Sequence, residues 1–148
     1  MAREGLTVTF LGTSSAPPQL HRRQSSIFIK YRSNNILVDA GEATQVQMLK
    51  YRINFAKKLI ILITHLHSDH TLGIIGLLST RCFYGVHTPV TIIGPPWTTS
   101  FIFLQMLAYR LYPDYEIKVI ETSGGIVFSN KDLLIEAFPT THQLNSLG

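Results

Sequence analysis

The feature that most constrains this chain is a continuous apolar run, LIILI at residues 59–63, which leads directly into a cluster of polar side chains. Five consecutive apolar residues are typical of a strand that is covered on both faces. The next positions read THLHSDH and hold three of the six histidines of the chain, together with an aspartate. A buried strand should therefore end beside these side chains and fix their backbone at the edge of a sheet.

The rest of the chain alternates strand and helix patterns. Strands are predicted at LTVTFL, SSIFIKY, ILVDAG, LIILI, PVTIIG, YEIKVIET and LLIEAFPT, with Asn34 and Asn35 forming a turn. Three helices are predicted, beginning near Glu42, Thr71 and Thr98. This alternation predicts an α/β layered domain with buried strands, and residues 1–148 are assigned to a single domain.

Apolar spacing and end signals support these helices. In the first helix, apolar residues recur at Val46, Leu49 and Ile53, and in the second Ser68 or Asp69 is suited to capping the start. The third pattern, TTSFIFLQMLAYRLY, is closed by a proline, and its aromatic residues are assigned to the core together with Trp97.

The histidine cluster is best explained as a metal site. His65 and His67 can converge on one ion, while Asp69 and His70 lie one turn further on and can face a second. Imidazole and carboxylate are zinc ligands, and structural zinc sites usually use cysteines, of which the chain has only Cys82. The cluster therefore predicts a catalytic zinc, which lowers the pKa of a bound water. An adventitious surface site is the main alternative.

Further motifs place the cluster in a family context. THLHSDH is similar to the HxHxDH signature of the metallo-β-lactamase superfamily. FLGTSSA, the serine pair of RRQSSIFI, LVDAGEATQVQM and EAFPTTH resemble the N-terminal half of ribonuclease Z, the tRNA 3′-end endonuclease. Ala43 and Ser68 stand where that family usually has glycine, which matters if the backbone there requires positive φ. The resemblance implies the N-terminal half of an αββα sandwich, a mixed β-sheet with flanking helices.

The resemblance also implies roles for individual residues. His65, His67 and His142 would hold one zinc, while Asp69 and His70 would help to hold a second, with Asp69 also the catalytic proton acceptor. The implied reaction removes the 3′ trailer from precursor tRNA by attack of a metal-activated hydroxide on the phosphodiester. Family members commonly form homodimers, which leaves a homodimer open for this chain.

The family's pattern does not end at Gly148. The aspartate that bridges both metals and the last histidine have no counterpart here, so a site that takes two zinc ions when complete lacks ligands for the second. We therefore expect an incomplete metallo-β-lactamase-like domain with an apolar sheet face exposed, and weak activity or none from this chain alone. Two alternatives stay open: another hydrolase of the superfamily (phosphodiesterase, thioesterase or arylsulfatase), or a non-catalytic zinc-binding fragment.

Charge favours a polyanionic partner only modestly. The net charge is +4, and basic residues occur in small groups that are ordinarily solvated loops or helix ends: Arg22-Arg23, Lys30 with Arg32, Lys50 with Arg52, and Lys57-Lys58. Arg22 and Arg23 follow the GTSSAPP turn and are the candidates for contact with RNA phosphates. No apolar run approaches the roughly 20 residues of a membrane helix, and a signal peptide pattern is lacking, so a soluble, cytoplasmic protein without a membrane partner is expected.

Two short segments near the predicted strand ends have open roles. Asp39 and Glu42 flank Gly41 and either support a ligand histidine or cap the helix that begins near Thr44. The backbone amides of residues 12–14 either approach a substrate phosphate or, as is more usual, form an ordinary turn.

Overall fold

The computed structural model describes residues 5–148, which are built around one six-stranded sheet. The strands β1 (Thr7–Gly12), β2 (Ser26–Tyr31) and β3 (Asn34–Val38) are antiparallel neighbours. From β3 onward the sheet is parallel, through β4 (Leu59–Leu62), β5 (Val90–Gly94) and β6 (Ile117–Glu121). The helices α1 (Thr44–Lys50), α2 (Ser68–Phe83) and α3 (Thr98–Ala108) connect successive parallel strands. The predicted α/β alternation is confirmed, including its three helices.

The helices and the sheet share the main core. Leu37, Ile61 and Ile92 of the three central strands lie in one buried cluster with Ile74 and Leu77 of α2. All five side chains are excluded from solvent. Burial of a side chain of this size contributes about 1.5–3 kcal/mol, so these residues join α2 firmly to the middle of the sheet.

A hairpin that follows the sheet covers part of the opposite face. Its strands are β7 (Gly125–Ser129) and β8 (Leu134–Ala137), and they pack over a second cluster formed by Ile36, Ile60 and Ile93. On the edge strand β1, by contrast, Val8 and Phe10 are 46% and 60% exposed. The expected exposed sheet face is therefore confined to the edge, because the hairpin shields the centre.

The remaining strands are very short. β9 (Pro139–Thr140) and β10 (Ser146–Leu147) form a two-stranded ladder, with Thr140 opposite Ser146. The sequence patterns did not predict β7, β9 or β10 as separate strands. Two-residue strands are too short to show an alternating pattern, and β7 begins within the turn signal itself, at the second residue of the glycine pair Gly124–Gly125.

The turn between β2 and β3 lies two residues earlier than predicted. Asn34 and Asn35 are buried strand residues, and Arg32 adopts the positive φ of 53° that the turn requires. The Asn35 side-chain amide donates to the carbonyl of Lys58 at 3.2 Å, and the Asn34 oxygen accepts from Asn130 at 2.8 Å. Because the Asn35 amide and the Asn34 oxygen find partners, both asparagines can occupy a strand, although the buried amide nitrogen of Asn34 has no partner among the described residues.

The assignment of Trp97 and the aromatic residues of the third helix pattern to the core was wrong for most of them. Trp97, Phe103 and Tyr109 lie at the surface, whereas Phe101 packs against the core. In α1, Val46 and Leu49 are about half exposed, and Met48 is the apolar residue that is buried. A helix that is apolar all round does not reveal its buried side by periodicity. Among residues 5–148, no helix has the length and apolar character needed to cross a membrane.

A buried arginine fastens the loops that precede the central strands. The Arg81 guanidinium of α2 donates to the carbonyls of Phe55 and Lys57, and also to the carbonyl and hydroxyl of Thr88. It also stacks on the ring of Tyr115 at 4.9 Å. The side chain is fully buried, and this burial lowers its pKa. Arg81 thus connects α2 to the segments that lead into β4 and β5.

We expect Arg81→Lys to lower the free energy of unfolding by about 3 kcal/mol, because one ammonium cannot satisfy the carbonyls that the forked guanidinium binds. Urea unfolding followed by circular dichroism would measure the loss. Arg110→Lys, the same change at an exposed position, is the control. A loss below about 1 kcal/mol, within the range of an ordinary surface substitution, would contradict this account.

Ala43 provides a second test, because it precedes α1 in the left-handed conformation with a φ of 62°. A non-glycine residue there costs about 1–2 kcal/mol, and glycine itself loses about 0.5–1 kcal/mol in chain entropy. We therefore expect Ala43→Gly to raise the free energy of unfolding by up to about 1 kcal/mol. Ala108→Gly, at a helical position, should lower the free energy of unfolding. If urea melts show that both substitutions change this free energy in the same direction, Ala43 is not strained as described.

Candidate metal centre

Three histidines meet at the edge of the sheet where the parallel strands end. His65 and His67 follow the end of β4, and His142 lies in the turn between β9 and β10. Their ligand-capable nitrogen atoms lie within 4.8 Å of one another. The ring centroids of His65 and His142 are 4.5 Å apart, although 77 positions separate them in the chain. The structure therefore brings together the three residues that the resemblance grouped.

The β9–β10 ladder is what places His142 in this cluster. The Leu147 amide donates to the carbonyl of Thr64 at 2.9 Å, which attaches the ladder to the residue just before His65. Within the ladder, the Ser146 hydroxyl donates to the Thr140 carbonyl at 3.0 Å. These bonds hold the exposed turn that carries His142 over the end of β4.

Asp69 and His70 lie beside the three histidines, in the first turn of α2. Asp69 Oδ2 is 3.5 Å from His70 Nε2, and the rings of His65 and His70 are 4.1 Å apart. His67 is the N-cap residue and makes no side-chain capping bond, so the predicted capping by Ser68 or Asp69 was wrong. Asp69 does not cap the helix. It is buried near the positive N-terminal end of α2, which favours the negative charge of its carboxylate.

A buried aspartate organises the cluster from behind. Asp39 follows β3, and its Oδ2 lies 2.6 Å from Nδ1 of His70. Its carboxylate also accepts from the Thr64 backbone amide at 2.8 Å and from the Thr64 hydroxyl at 2.9 Å. Because that hydroxyl proton points to Asp39, its oxygen can accept from Nδ1 of His65, 2.9 Å away. This chain of bonds leaves Nε2 of both His65 and His70 free to bind an ion.

The role of Asp39 resolves one alternative left open by the sequence. Asp39 supports His70 directly and His65 through Thr64, and it does not cap α1, whose N-cap residue is Ala43. Glu42 neither supports a histidine nor caps α1. Its side chain is exposed, and its backbone amide donates to the side-chain oxygen of Gln24. The importance of Thr64 was missed, although its position immediately before the HxHxDH motif was a usable signal.

Two glycines allow α2 to approach the end of β3 closely. A Cβ atom on Gly73 would lie 2.0 Å from the carbonyl oxygen of Gly41, and one on Gly41 would lie 2.5 Å from that of Asp69. Both distances are too short for any side chain. The contact is closed by hydrogen bonds between Ala40 and α2, from the Ala40 amide to the His70 carbonyl at 2.7 Å and from the Gly73 amide to the Ala40 carbonyl at 2.8 Å. This packing sets His70 against Asp39.

The two histidines of this network differ in proton affinity. Burial lowers the pKa of His65, and the neighbouring His70 and His142 rings add to that effect. The pKa of His70 is raised, chiefly by its hydrogen bond to the Asp39 carboxylate. The lowered pKa of His65 favours the neutral form of its ring, which is the form that binds a metal ion.

The arrangement fits a bound metal ion. Three imidazoles form an all-nitrogen donor set, their nitrogen atoms are close together, and the other ring nitrogen of His65 is occupied by a hydrogen bond. Such a set suits zinc and leaves a coordination position for water. Asp69 and His70 offer two further donors next to it. Among residues 5–148, the three histidines are the single group of three or more histidine, cysteine or acidic side chains whose ligand atoms lie so close together.

The two candidate residues for RNA contact lie at the same edge of the sheet. Arg22 and Arg23 are exposed in the loop between β1 and β2. The carbonyl of Arg23 accepts from the amides of Thr13 and Ser14, both at 2.9 Å. Those two amides are therefore engaged in bonds that join the two sides of the β1–β2 loop, and they are not available to a phosphate.

The Asp39–His70 pair predicts a pH-dependent stability. Because the folded-state pKa of His70 is raised, its protonated form stabilises the fold below the unfolded pKa, and this contribution is lost as pH rises through the folded pKa. We expect Asp39→Asn to lower the free energy of unfolding more at about pH 5 than at about pH 9. Urea melts of the metal-free protein would show this. Asp114→Asn, at an exposed position, is the control. If Asp39→Asn lowered the free energy of unfolding equally at both pH values, the predicted role of the Asp39–His70 pair would be wrong.

The sequence matches ribonuclease Z proteins along nearly all of its length. It is 38% identical over 143 residues to ribonuclease Z of Methanothermobacter thermautotrophicus, a match that covers 97% of this chain and 47% of that protein. It is 34% identical over 143 residues to ribonuclease Z of Methanosarcina mazei, with the same coverage. The chain thus spans about half the length of the curated relatives it matches.

Solved structures agree with this assignment. The crystal structure of human tRNase Z, short form, superposes with a TM-score of 0.85 at 28% identity, covering 95% of this chain and 62% of that one. The metallo-β-lactamase fold protein YhfI of Bacillus subtilis superposes with a TM-score of 0.74 at 20% identity, covering 96% of this chain and 56% of that one, which shows the shared fold.

A family model agrees as well. The model described as anti-Pycsar protein Apyc1 matches residues 6–146 of the chain. The chain therefore belongs to this family, has the metallo-β-lactamase fold, and corresponds to the N-terminal half of its ribonuclease Z relatives.

Proposed function

We propose that this chain carries the first metal site of a zinc-dependent hydrolase that cleaves phosphodiester bonds in RNA. The observation that supports it is the convergence of His65, His67 and His142 at the end of β4. Zinc held there would lower the pKa of a bound water and balance the negative charge that develops on an attacked phosphate.

The surrounding residues have separate tasks in this proposal. Asp39, with Thr64, holds the histidine rings so that their Nε2 atoms face the site. The carboxylate of Asp69 is buried beside His70, where it can accept a proton from the attacking water. Asp69 and His70 would also contribute to a second zinc, for which residues 5–148 offer just these two side chains at the site.

Precursor tRNA is the proposed substrate, with removal of the 3′ trailer as the reaction. The names of the curated relatives and of the human structure support this choice, since all of them denote tRNA-processing nucleases. Arg22 and Arg23 project from the same edge of the sheet as the histidines and are proposed to contact the RNA backbone. Such a substrate would place the protein in the cytoplasm.

A hydrolase of another phosphodiester is the second candidate. The family model that matches is described as anti-Pycsar protein Apyc1, which is not a ribonuclease name. The same metal centre would serve either substrate, because both reactions attack a phosphorus atom. Parallel assays with precursor tRNA, cyclic nucleotides and bis-aryl phosphodiesters would separate the two candidates.

We expect the purified chain to bind one zinc ion tightly, and His142→Ala to weaken that binding at least about 100-fold, because two imidazoles make a poor site. Zinc titration against a competing chelator would measure the affinity. His87→Ala removes an exposed histidine outside the cluster and should leave the affinity unchanged. Equal effects of the two substitutions would rule out the three-histidine site.

Cleavage of a precursor tRNA transcript tests the substrate. We expect this 148-residue chain to show weak metal-dependent cleavage or none by itself, since a second ion would have two protein ligands. Whatever cleavage occurs should disappear in His65→Ala and persist in His87→Ala. An ordinary turnover rate from the chain alone would show that two side chains suffice for the second ion.

A further inference from the structure

A cleft at the far end of the sheet is lined by four of the thirteen basic residues of the chain. The cleft has a volume of about 1160 Å³ and lies beside the β2–β3 turn. Lys30, Arg32, Lys57 and Lys131 line it, with Asp132. Among the described residues that line it, these four basic groups and one acidic group carry a net charge of +3, compared with +4 for the whole chain.

The tertiary structure assembles this cleft from three distant segments. Lys30 and Arg32 come from β2 and its turn, Lys57 from the loop before β4, and Lys131 from the turn of the β7–β8 hairpin. The sequence showed the first two groups as separate basic pairs with ordinary explanations. Folding places residues of both pairs in one cleft together with Lys131.

The acidic residue does not balance the lysines. Asp132 forms an ion pair with Arg32, and its carboxylate side chain is only 7% exposed. Over residues 5–148, no carboxylate lies within ion-pair distance of Lys30, Lys57 or Lys131. All three lysines are exposed. Three ammonium groups in one concavity repel each other and raise the local concentration of anions.

The cleft lies opposite the metal centre. Lys57 precedes β4 and His65 follows it, just as the β2–β3 turn precedes β3 and Asp39 follows it. A strand advances about 3.3 Å per residue, so the cleft and the histidines are about 25 Å apart if the chain between Lys57 and His65 is extended. One small ligand could not occupy both, whereas a polymer could contact both at once.

We propose that this cleft binds the phosphate backbone of an RNA whose reactive bond lies at the metal centre; this inference rests on the proposed function for the choice of RNA. The cleft exceeds the roughly 300–1,000 Å³ of typical small-molecule pockets, and its flexible lysines suit repeated phosphates more than one buried group. Lysine contacts of this kind are independent of base sequence and strengthen binding at low salt.

The test compares two triple variants of equal charge. Lys30→Gln/Lys57→Gln/Lys131→Gln removes the cleft lysines, and Lys50→Gln/Arg110→Gln/Lys118→Gln removes three exposed basic residues elsewhere. Binding of a fluorescein-labelled precursor tRNA transcript is measured in EDTA at several salt concentrations, so that metal binding has no part in it. Circular dichroism melts verify folding, and the single lysine variants replace the triple if it does not fold.

We expect the cleft variant to bind about tenfold or more weakly at low salt and to lower the slope of log K against log salt by about 2–3. The control variant should retain binding within about twofold. Equal losses in the two variants, or no RNA binding by the wild type at low salt, would overturn the proposal. Cleft-dependent binding of phosphatidylserine vesicles or polyglutamate without RNA binding would also overturn it.

This experiment separates the cleft from the metal centre. If RNA binding needs the cleft lysines while zinc titration fails, the proposed hydrolase is wrong and the cleft stands. If zinc binds as proposed but the cleft variant binds RNA as the wild type does, the cleft proposal is wrong and the metal centre stands.

Discussion

The hydrogen bonds of the Asp39 carboxylate are the interaction on which the site depends. One buried carboxylate accepts from His70, from the Thr64 hydroxyl and from the Thr64 amide, and thereby joins the ends of β3 and β4 to the start of α2. A buried carboxylate is costly unless it is hydrogen-bonded, and these three donors compensate it. Because the same bonds orient two imidazole rings, stability of the sheet edge and geometry of the candidate metal centre come from one group.

The backbone of Asp39 shows how tightly this edge is constrained. Its φ is 56°, in the left-handed region, which aspartate tolerates better than most residues. Glycines at positions 41 and 73 let α2 come close enough for His70 to reach the carboxylate. Ala43, two residues beyond Gly41, also has a positive φ, which explains why glycine would be the easier residue there. Local backbone conformation and close packing therefore act together to build the site.

The two ends of the sheet have different chemistry. Imidazoles and buried carboxylates gather where the parallel strands end, and exposed lysines gather where they begin. Parallel strands make this separation possible, because all of their carboxyl ends lie at one edge. The hairpin β7–β8 contributes to both ends, since it carries Lys131 and leads into the segment that bears His142.

How far the sequence could predict the fold depended on the length of each pattern. The LIILI run, the alternating strands and the long α2 pattern span enough residues to be recognised, and they appear where they were expected. The two-residue strands could not be recognised, because a period of two needs more positions than they have. The assignment of Trp97 and Phe103 to the core was also wrong, because both side chains are exposed and apolar character alone does not say against what a helix packs.

For the site, the sequence by itself determined the types and local order of the donors. His65, His67, Asp69 and His70 are held in one loop and one helical turn, so their proximity follows from covalent connection. The family resemblance grouped His142 with them, and Asp39 was one of two candidates for supporting a histidine. Only the tertiary structure decided how these residues meet, that Thr64 takes part, and that the dispersed lysines share a cleft. Those contacts link residues tens of positions apart, and they depend on hydrogen bonds between loops that no local pattern records.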